Sequence, residues 1–279
     1  MSFLDHVAVL VLTLDEAPNI GRALEALRDF PEIVVLDSGS RDDTLRIVAA
    51  FPNARIAQRS FDTHANQWNY GLFRCGIERP FVLALDADHI VPPALVEEIA
   101  HLSPSSATCG FRARFRYCVF GEGLSGALYP PSIVLFRRER CHYIQSGHTQ
   151  RLVIDGAVVE LVGVIDHDDR KPLARWFGSQ QKYAALEARH LLGTPRDRLR
   201  LSDRIRRLGW LSPWLIGLYT LVVKRCALDG WRGWFYVLQR VLAETLIALE
   251  IIDRRRRVEA TVIGQERRGV GAASAKKGR

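Results

Sequence analysis

The chain has 279 residues, of which 48% are hydrophobic and 25% charged. This is enough to bury one sizeable core with an appendage, and it excludes a disordered chain. The five cysteines are odd in number and lack C-x-x-C spacing, which argues against a disulfide framework or a zinc ribbon. Residues 253–279 carry nine Lys and Arg against three acids, a net +6 out of the total of +8. This segment favours an anionic partner, either a membrane surface or a nucleic acid.

The first hundred residues alternate between patterns typical of buried strands and of helices. Apolar, β-branched runs predict strands over 6–13, 33–36, 55–57 and 81–85. Helical spacing of apolar residues, with prolines near two of the starts, predicts helices over 18–27, 42–51, 64–76 and 92–101. Strands separated by helices indicate an α/β fold with a mostly parallel sheet and right-handed crossovers.

The alternation of predicted strands and helices ends after residue 107. Alternating aromatic and arginine residues predict a strand over 111–117, and the run SIVLFRR predicts another over 132–138. The Asp155-Gly156 pair between two apolar runs predicts a β-hairpin over 151–161.

Helices are predicted again after Pro172, including two apolar stretches over 208–223 and 233–252. Proline or charged residues interrupt both stretches, so each falls short of the ~20 apolar residues that a membrane-spanning helix needs. Four of the six tryptophans lie between 210 and 234, interleaved with Lys and Arg. This pattern fits helices that lie on a membrane surface, and it also fits ordinary core packing.

Acidic side chains follow three of the predicted strands. They are Asp15 and Glu16 after Thr13, Asp37 before Ser38, and the pair Asp86 and Asp88. Ligands of parallel α/β sheets bind at the carboxyl ends of the strands, so we expect these residues to meet at one edge.

The two carboxylates of Asp86 and Asp88 are the strongest metal signal in the chain. At strand spacing the two carboxylates point to the same side. Their oxygen atoms are suitable ligands for Mg²⁺ or Mn²⁺, and a bound cation would relieve the repulsion between the two charges. The alternative is a polar strand exit into a turn. Asp37 likewise fits either a ligand contact or turn chemistry around Gly39.

A G-x-G-x-x-G match begins at Gly121, within the loop GEGLSGALYPP. The dinucleotide-binding motif needs a helix directly after its glycines, and the two prolines at 130–131 exclude one. We interpret the segment as a flexible loop over the site that contacts an acceptor.

Several segments in order resemble the family 2 glycosyltransferases, which have a GT-A (Rossmann-like) fold. They are VLVLTLDEAPNI, VVLDSGSRDDT, LALDADHIVPP, HANQWNYGL, LYPPSIVLFRR, GHTQRLVIDG and GVIDHDDRKPLARWFGSQQKYAALEA. The resemblance covers about residues 6–255 and is greatest for the branch of lipopolysaccharide-core glucosyltransferases and related cell-envelope enzymes. It implies an inverting sugar transfer from a nucleotide-sugar donor, assisted by Mg²⁺ or Mn²⁺.

The resemblance also implies roles for individual residues. The positions that match the nucleoside-binding segments are Thr13, Asp15, Glu16, Asp37 and Ser38. Asp86 and Asp88 match the motif that holds the ribose, the metal and the diphosphate. Asp15 replaces the usual Asn and cannot donate a hydrogen bond.

The general base is harder to assign because this chain has Gly147-His148-Thr149-Gln150 where the branch often has His-Glu. Our candidates are His148 first, then Glu122 and Asp166. His167 matches a family histidine and fits a metal or phosphate contact or a structural hydrogen bond.

We therefore expect a GT-A catalytic domain over 1–170, a helical membrane-associating appendage over 171–255 and a basic flexible tail over 256–279. The expected acceptor is a lipid-linked or lipopolysaccharide-type glycan. MSFLDHVAVL lacks the basic start of a secretory signal, so we expect a cytoplasmic enzyme bound peripherally to the anionic inner membrane and not to nucleic acid.

Two alternatives stay open. A sugar-phosphate nucleotidyltransferase should have a glycine-rich loop after its first strand, and no glycine precedes Gly21 here. A non-enzymatic basic protein that binds membrane or nucleic acid would not need three acidic strand exits.

Overall fold

A computed structural model describes the backbone of residues 2–146 and 149–277, and the side chains of 2–145 and 150–258. The strands are β1 Val7–Thr13, β2 Ile33–Asp37, β3 Ala54–Gln58, β4 Phe81–Asp86, β5 His89–Ile90, β6 Thr108–Val119, β7 Glu122–Gly123, β8 Ser132–Arg137, β9 Cys141–Ser146, β10 Thr149–Ile154 and β11 Ala157–His167. The α-helices are α1 Ile20–Ala26, α2 Thr44–Val48, α3 His64–Arg74, α4 Pro93–Ala100, α5 Leu173–Gly193, α6 Leu201–Arg206, α7 Ser212–Leu218 and α8 Gly230–Lys277. A π-helical turn, Tyr219–Val223, extends α7.

The main sheet has nine strands, in the order β3-β2-β1-β4-β8-β6-β11-β5 with β7 on β6. Strands β1 to β4 are mutually parallel, and β6 and β11 are parallel to each other. Strand β8 is antiparallel to both β4 and β6, so β6 and β11 run in the same direction as β1–β4. The predicted α/β fold with a mostly parallel sheet and flanking helices is confirmed.

Strand β1 is apolar from Val7 to Leu12 because helices or strands cover both faces of the sheet there. Successive side chains point to opposite faces, so Val7, Val9 and Val11 join the core under α1, α2 and α4. Ala8 and Leu10 join a second core under α3 and the β9–β10 pair. The fit is close, since a Cβ on Gly71 of α3 would lie 2.6 Å from a Leu10 methyl carbon.

The predicted hairpin at Asp155-Gly156 is wrong. Strand β10 pairs with β9, whereas β11 leaves for the main sheet and pairs with β6. Gly156 has φ +141°, and a Cβ there would collide with the Cys109 sulfur. The dipeptide therefore marks a tight crossing between two sheets, where the chain needs glycine for space and conformation.

The carboxyl-terminal third is helical. Helix α8 continues to Lys277, through the segment for which we predicted a flexible tail. Within the described part of the chain, no helix is both long enough and apolar enough to cross a membrane. All five cysteines are free and buried.

Candidate active site at the carboxyl edge of the sheet

The three acidic strand exits do meet at one edge. In the register of the sheet, Thr13 lies beside Asp37, and Leu12 lies beside Asp86. The Ser38 N–H donates to the Thr13 carbonyl over 2.9 Å, so the first two exits are joined directly. The Thr13 hydroxyl is buried and has no hydrogen-bond partner.

The Asp37 side chain is fully buried and builds the turn after β2. It accepts hydrogen bonds from the N–H groups of Gly39 at 2.9 Å and Ser40 at 3.0 Å. Gly39 has φ +101°, which the turn requires and which glycine adopts without strain. The hydrogen bonds of Asp37 are thus explained by the turn that it stabilises. A contact between Asp37 and a bound donor stays a prediction.

Asp15 and Glu16 hold the loop after β1. Asp15 adopts a left-handed φ of 52°, and its carboxylate accepts a hydrogen bond from the Arg41 N–H over 2.6 Å. Arg175, at the start of α5, reaches the Asp15 carbonyl over 2.5 Å. Glu16 accepts from Lys171 over 2.6 Å. Both acids are therefore bonded to residues about 155 positions away in sequence.

The segment after β11 supplies partners that the sequence analysis did not identify. Asp168 is buried and accepts from Arg22 over 2.7 Å and from Arg170 over 2.9 Å. It also accepts the N–H of Gly121 over 3.1 Å, which fastens the glycine-rich loop to this edge. The run DHDDRK directly after an apolar strand was the available signal.

Lys171 lies among three carboxylates. Its Nζ is 2.6 Å from Glu16, 3.2 Å from Asp169 and 3.7 Å from Asp88. Burial disfavours the ammonium charge, but these carboxylates outweigh it and raise the pKa of Lys171. Burial also raises the pKa of Glu16, in spite of the opposing pull of Lys171.

Asp88, His89 and His167 form the cluster best suited to hold a metal ion within the described residues. The Nδ1 atom of His167 lies 3.8 Å from Oδ1 of Asp88. Both atoms are buried and lack a hydrogen-bond partner. Two ligand bonds of about 2.0–2.2 Å to a divalent ion would bridge this distance.

His89 is a less suitable ligand than its place in the cluster suggests. Its Nδ1 accepts the backbone N–H of Asp86 over 3.1 Å, so in the neutral ring the proton lies on Nε2. That Nε2 faces the Tyr129 hydroxyl over 3.3 Å. Burial lowers the pKa of both His89 and His167, which keeps the rings neutral at neutral pH. His167 therefore offers the free lone pair.

The two carboxylates of the D-x-D motif differ in their electrostatics. Desolvation and the Asp88 charge raise the pKa of Asp86 to about 6. Since 51% of the Asp86 side chain is exposed, solvent screens part of this effect. Burial disfavours the Asp88 charge as well, but Lys171, together with His167 and His89 once acid protonates them, lowers its pKa to about 2. Asp88 is thus the ionised, enclosed carboxylate, and Asp86 opens towards solvent.

A cavity of about 190 Å³ adjoins this cluster on the side of α8. Its wall includes Lys171, Phe120, Trp176 and Gln239. Tyr117 also lines it, and the Tyr117 ring stacks on His167 with 5.0 Å between the centroids. Aromatic rings with a few polar groups are a common lining for sugar and other small-ligand sites.

The candidate bases lie in different surroundings in the structure. Glu122 lies exposed in β7, on the glycine-rich loop. Asp166 accepts two hydrogen bonds from Arg116, at 2.7 and 2.8 Å. Because Asp166 precedes His167 in β11, its side chain points to the opposite face of the strand, away from the cluster. His148 lies outside the described residues.

Residues 8–145 match the family model described as Glycosyl transferase family 2. Among curated proteins, the lipopolysaccharide core biosynthesis glycosyltransferase LpsC of Rhizobium meliloti (strain 1021) is 29% identical over 137 residues. The match covers 47% of this chain and 48% of that protein, so this chain spans about half the length of the curated relative.

Among solved structures, S. aureus TarS 1–349 in complex with UDP-GlcNAc matches this chain at 15% identity and a TM-score of 0.45. That match covers 90% of this chain and 91% of the other. A second match is glucosyl-3-phosphoglycerate synthase from Mycobacterium tuberculosis in complex with phosphoglyceric acid, at 21% identity and a TM-score of 0.43. This match covers 70% of this chain and 82% of the other.

Proposed function

We propose that this chain, whose residues 8–145 match the Glycosyl transferase family 2 model, is an inverting glycosyltransferase that moves a sugar from a nucleotide-sugar donor to a glycan acceptor. The observation that carries this proposal is the pair of unpartnered buried atoms, Asp88 Oδ1 and His167 Nδ1, at the exit of β4. Native structures rarely leave such atoms unpaired, so a ligand or ion at this edge is the simplest explanation.

We infer that a divalent cation, Mg²⁺ or Mn²⁺, is held by Asp88 and His167, with Asp86 beside it. The donor set fits, because one ionised carboxylate and one neutral imidazole with a free lone pair converge there. Bound at this site, the cation would neutralise the charge that develops on the departing nucleoside diphosphate. Lys171 adds a fixed positive charge 3.7 Å from Asp88.

The donor would lie along the edge formed by β1, β2 and β4. We assign the nucleoside to the segment Thr13, Asp15 and Glu16 and to the turn of Asp37 and Ser38. The unpartnered Thr13 hydroxyl supports this placement. An acceptor hydroxyl oxygen attacks the anomeric carbon, a base takes its proton, and the bond to the diphosphate breaks, which inverts the anomeric configuration.

His148 remains our first candidate for that base, with Glu122 as the second. Asp166 is the weakest candidate because Arg116 occupies both of its oxygens. An Asp166→Asn variant should therefore keep most of its turnover.

We propose a lipid-linked or lipopolysaccharide-type glycan as the acceptor, and a cytoplasmic location on the inner membrane surface. Two observations support this: the likeness to a lipopolysaccharide core glycosyltransferase, and the aromatic cavity beside the cluster. A sugar-phosphate nucleotidyltransferase is disfavoured, since the loop after β1 has no glycine before Gly21.

The test is a thermal-shift screen of UDP-, GDP- and CMP-linked sugars, with and without Mn²⁺. Ligands that stabilise the protein are then incubated with lipopolysaccharide-type acceptors, and the anomer formed is identified by NMR. A sugar transferred with inverted configuration supports the proposal. Nucleotidyl transfer to a sugar phosphate, or no nucleotide-sugar binding at all, contradicts it.

A further inference from the structure

Many exposed apolar side chains are concentrated on a helical hairpin formed by residues 208–242. We call this segment the C-terminal hairpin. Its two arms run antiparallel: a Cβ on Gly217 of the first arm would lie 2.9 Å from Val241 of the second. At the tip, a Cβ on Gly233 would collide with the Cys226 carbonyl. Glycine at both positions allows the arms to pack closely.

One face of the C-terminal hairpin is apolar and exposed. Residues four apart fall on one side of a helix, and Trp214, Leu218 and Val222 follow this spacing along α7 and the π-helical turn, with Trp210 just before the helix. Trp214 is 76% exposed and Leu218 63%. The other exposed apolar residues of the hairpin are Leu208, Leu215, Tyr219, Val223, Leu228, Trp231, Trp234, Leu238 and Leu242. So many exposed apolar side chains on one segment mark an interaction site.

The charges around this face indicate an anionic partner. Residues 208–242 contain four Lys and Arg, at 224, 225, 232 and 240, and a single acid, Asp229. Ser125 binds that acid through its N–H and its hydroxyl, so Asp229 faces the protein. The Arg232 guanidinium lies 5.0 Å from the centre of the Trp231 ring. Cations stacked on exposed indoles suit the boundary between anionic headgroups and acyl chains.

We propose that the C-terminal hairpin docks on an anionic lipid surface through its tryptophan-bearing face, with both helices lying in the interface. A second copy of this chain would bring the same excess of positive charge against itself. A nucleic acid would leave the row of Trp214, Leu218 and Val222 without an apolar partner. A lipid surface matches both the charge and the apolar area.

The tip of the hairpin is fastened to the loop that leads into the candidate active site. Tyr236 accepts the N–H of Leu128 over 2.9 Å, and the Cys226 thiol lies 3.3 Å from the Gly126 carbonyl oxygen. Tyr129, the residue after Leu128, contacts His89 in the proposed metal-binding cluster. Docking would thus hold the catalytic edge beside the lipid surface, a consequence that rests on the proposed transfer to a lipid-linked acceptor.

Vesicle binding tests the docking without any need for activity. Full-length protein is sedimented with vesicles of phosphatidylcholine that contain phosphatidylglycerol, and with vesicles of phosphatidylcholine alone. The test variant is Trp214→Glu/Leu218→Glu. Its matched control is Val159→Glu/Val162→Glu, which adds the same charge at exposed positions of β11, and a chain ended after residue 258 tests the basic end.

We expect wild type and the β11 control to bind anionic vesicles equally. The partition coefficient of Trp214→Glu/Leu218→Glu should be lower than that of wild type by about tenfold or more, because the variant adds two negative charges and removes two apolar contacts. The shortened chain should keep most of its binding. Equal binding by wild type and the hairpin variant, or loss only on shortening, overturns the proposal. So does a wild-type dimer that the variant dissociates, or hairpin-dependent RNA binding without vesicle binding.

Nucleotide-sugar binding by the same samples separates this proposal from the enzymatic one. A hairpin variant that no longer binds vesicles but still binds the donor supports docking by the hairpin. Vesicle binding by a protein that binds no nucleotide sugar leaves the docking supported and contradicts only the proposed function.

Discussion

Replacing Lys171 with methionine removes one positive charge from a nearly enclosed group of carboxylates. The Lys171 side chain is 16% exposed, and its ammonium bonds Glu16, whose side chain is 14% exposed, over 2.6 Å. Removing one partner of a buried ion pair costs about 3–5 kcal/mol, because the remaining charge stays desolvated and unpaired. We expect the lower end, about 3 kcal/mol, since Lys171 also lines an open cavity. In a domain of this size that lowers Tm by about 6–12 °C.

The pH dependence provides an independent check. Burial already raises the pKa of Glu16, and the loss of Lys171 should raise it further. A group whose pKa is raised in the folded state stabilises at low pH and loses that stabilisation as pH rises through the folded-state pKa. The loss of stability of Lys171→Met relative to wild type should therefore be largest near neutral pH and shrink as the pH falls.

The assay is urea denaturation followed by circular dichroism, at several pH values. Lys182→Met is the matched control, since Lys182 lies exposed on α5 and should cost less than about 0.5 kcal/mol. If Lys171→Met matched this control, or if its deficit did not change with pH, the account of the charge cluster would be wrong.

Three further predictions concern the site and the helical region. Asp88→Ala should abolish Mn²⁺-dependent transfer while the circular dichroism spectrum stays that of wild type, and near-normal turnover would contradict our assignment. His148→Ala should reduce kcat by ~10²–10⁴ without changing donor affinity. Wild-type turnover should fall below about pH 6.5 if an imidazole is the base, whereas a rate loss confined to Glu122→Gln would identify the carboxylate instead. Glu244→Ala should destabilise by about 3 kcal/mol, because it leaves the Arg206 guanidinium 2.6 Å away without its main partner. Glu250→Ala, in an i,i+4 surface pair, should cost under about 1 kcal/mol in the same denaturation assay.

The parallel half of the sheet could be predicted because its signals are local. Strand β1 is apolar from Val7 to Leu12 and buried on both faces. The acids lie at the strand ends or close behind them: Asp37 and Asp86 are the last residues of β2 and β4, and Asp15 follows the end of β1 by two residues. The wrong hairpin at Asp155-Gly156 shows the limit of local signals. The dipeptide indicates a turn, but the partner of β11 is β6, which lies about fifty residues away.

The charge network of the site was not predictable for the same reason. The bond between Lys171 and Glu16 joins residues 155 positions apart. A single sequence shows the run DHDDRK but not which acids it faces. The environment of His167 likewise depends on the fold. The fold places Asp88 beside His167 and pairs the preceding residue, Asp166, with Arg116.

The most direct test of the central claim is Mn²⁺ binding measured by electron paramagnetic resonance on purified protein with its nucleotide sugar. Wild type and the exposed-histidine control His101→Phe should bind Mn²⁺ equally. His167→Phe and Asp88→Asn should each weaken binding by about tenfold or more, since even residues that only orient metal ligands contribute that much. Unchanged Mn²⁺ affinity in both of these variants would contradict the claim that this pair holds the metal.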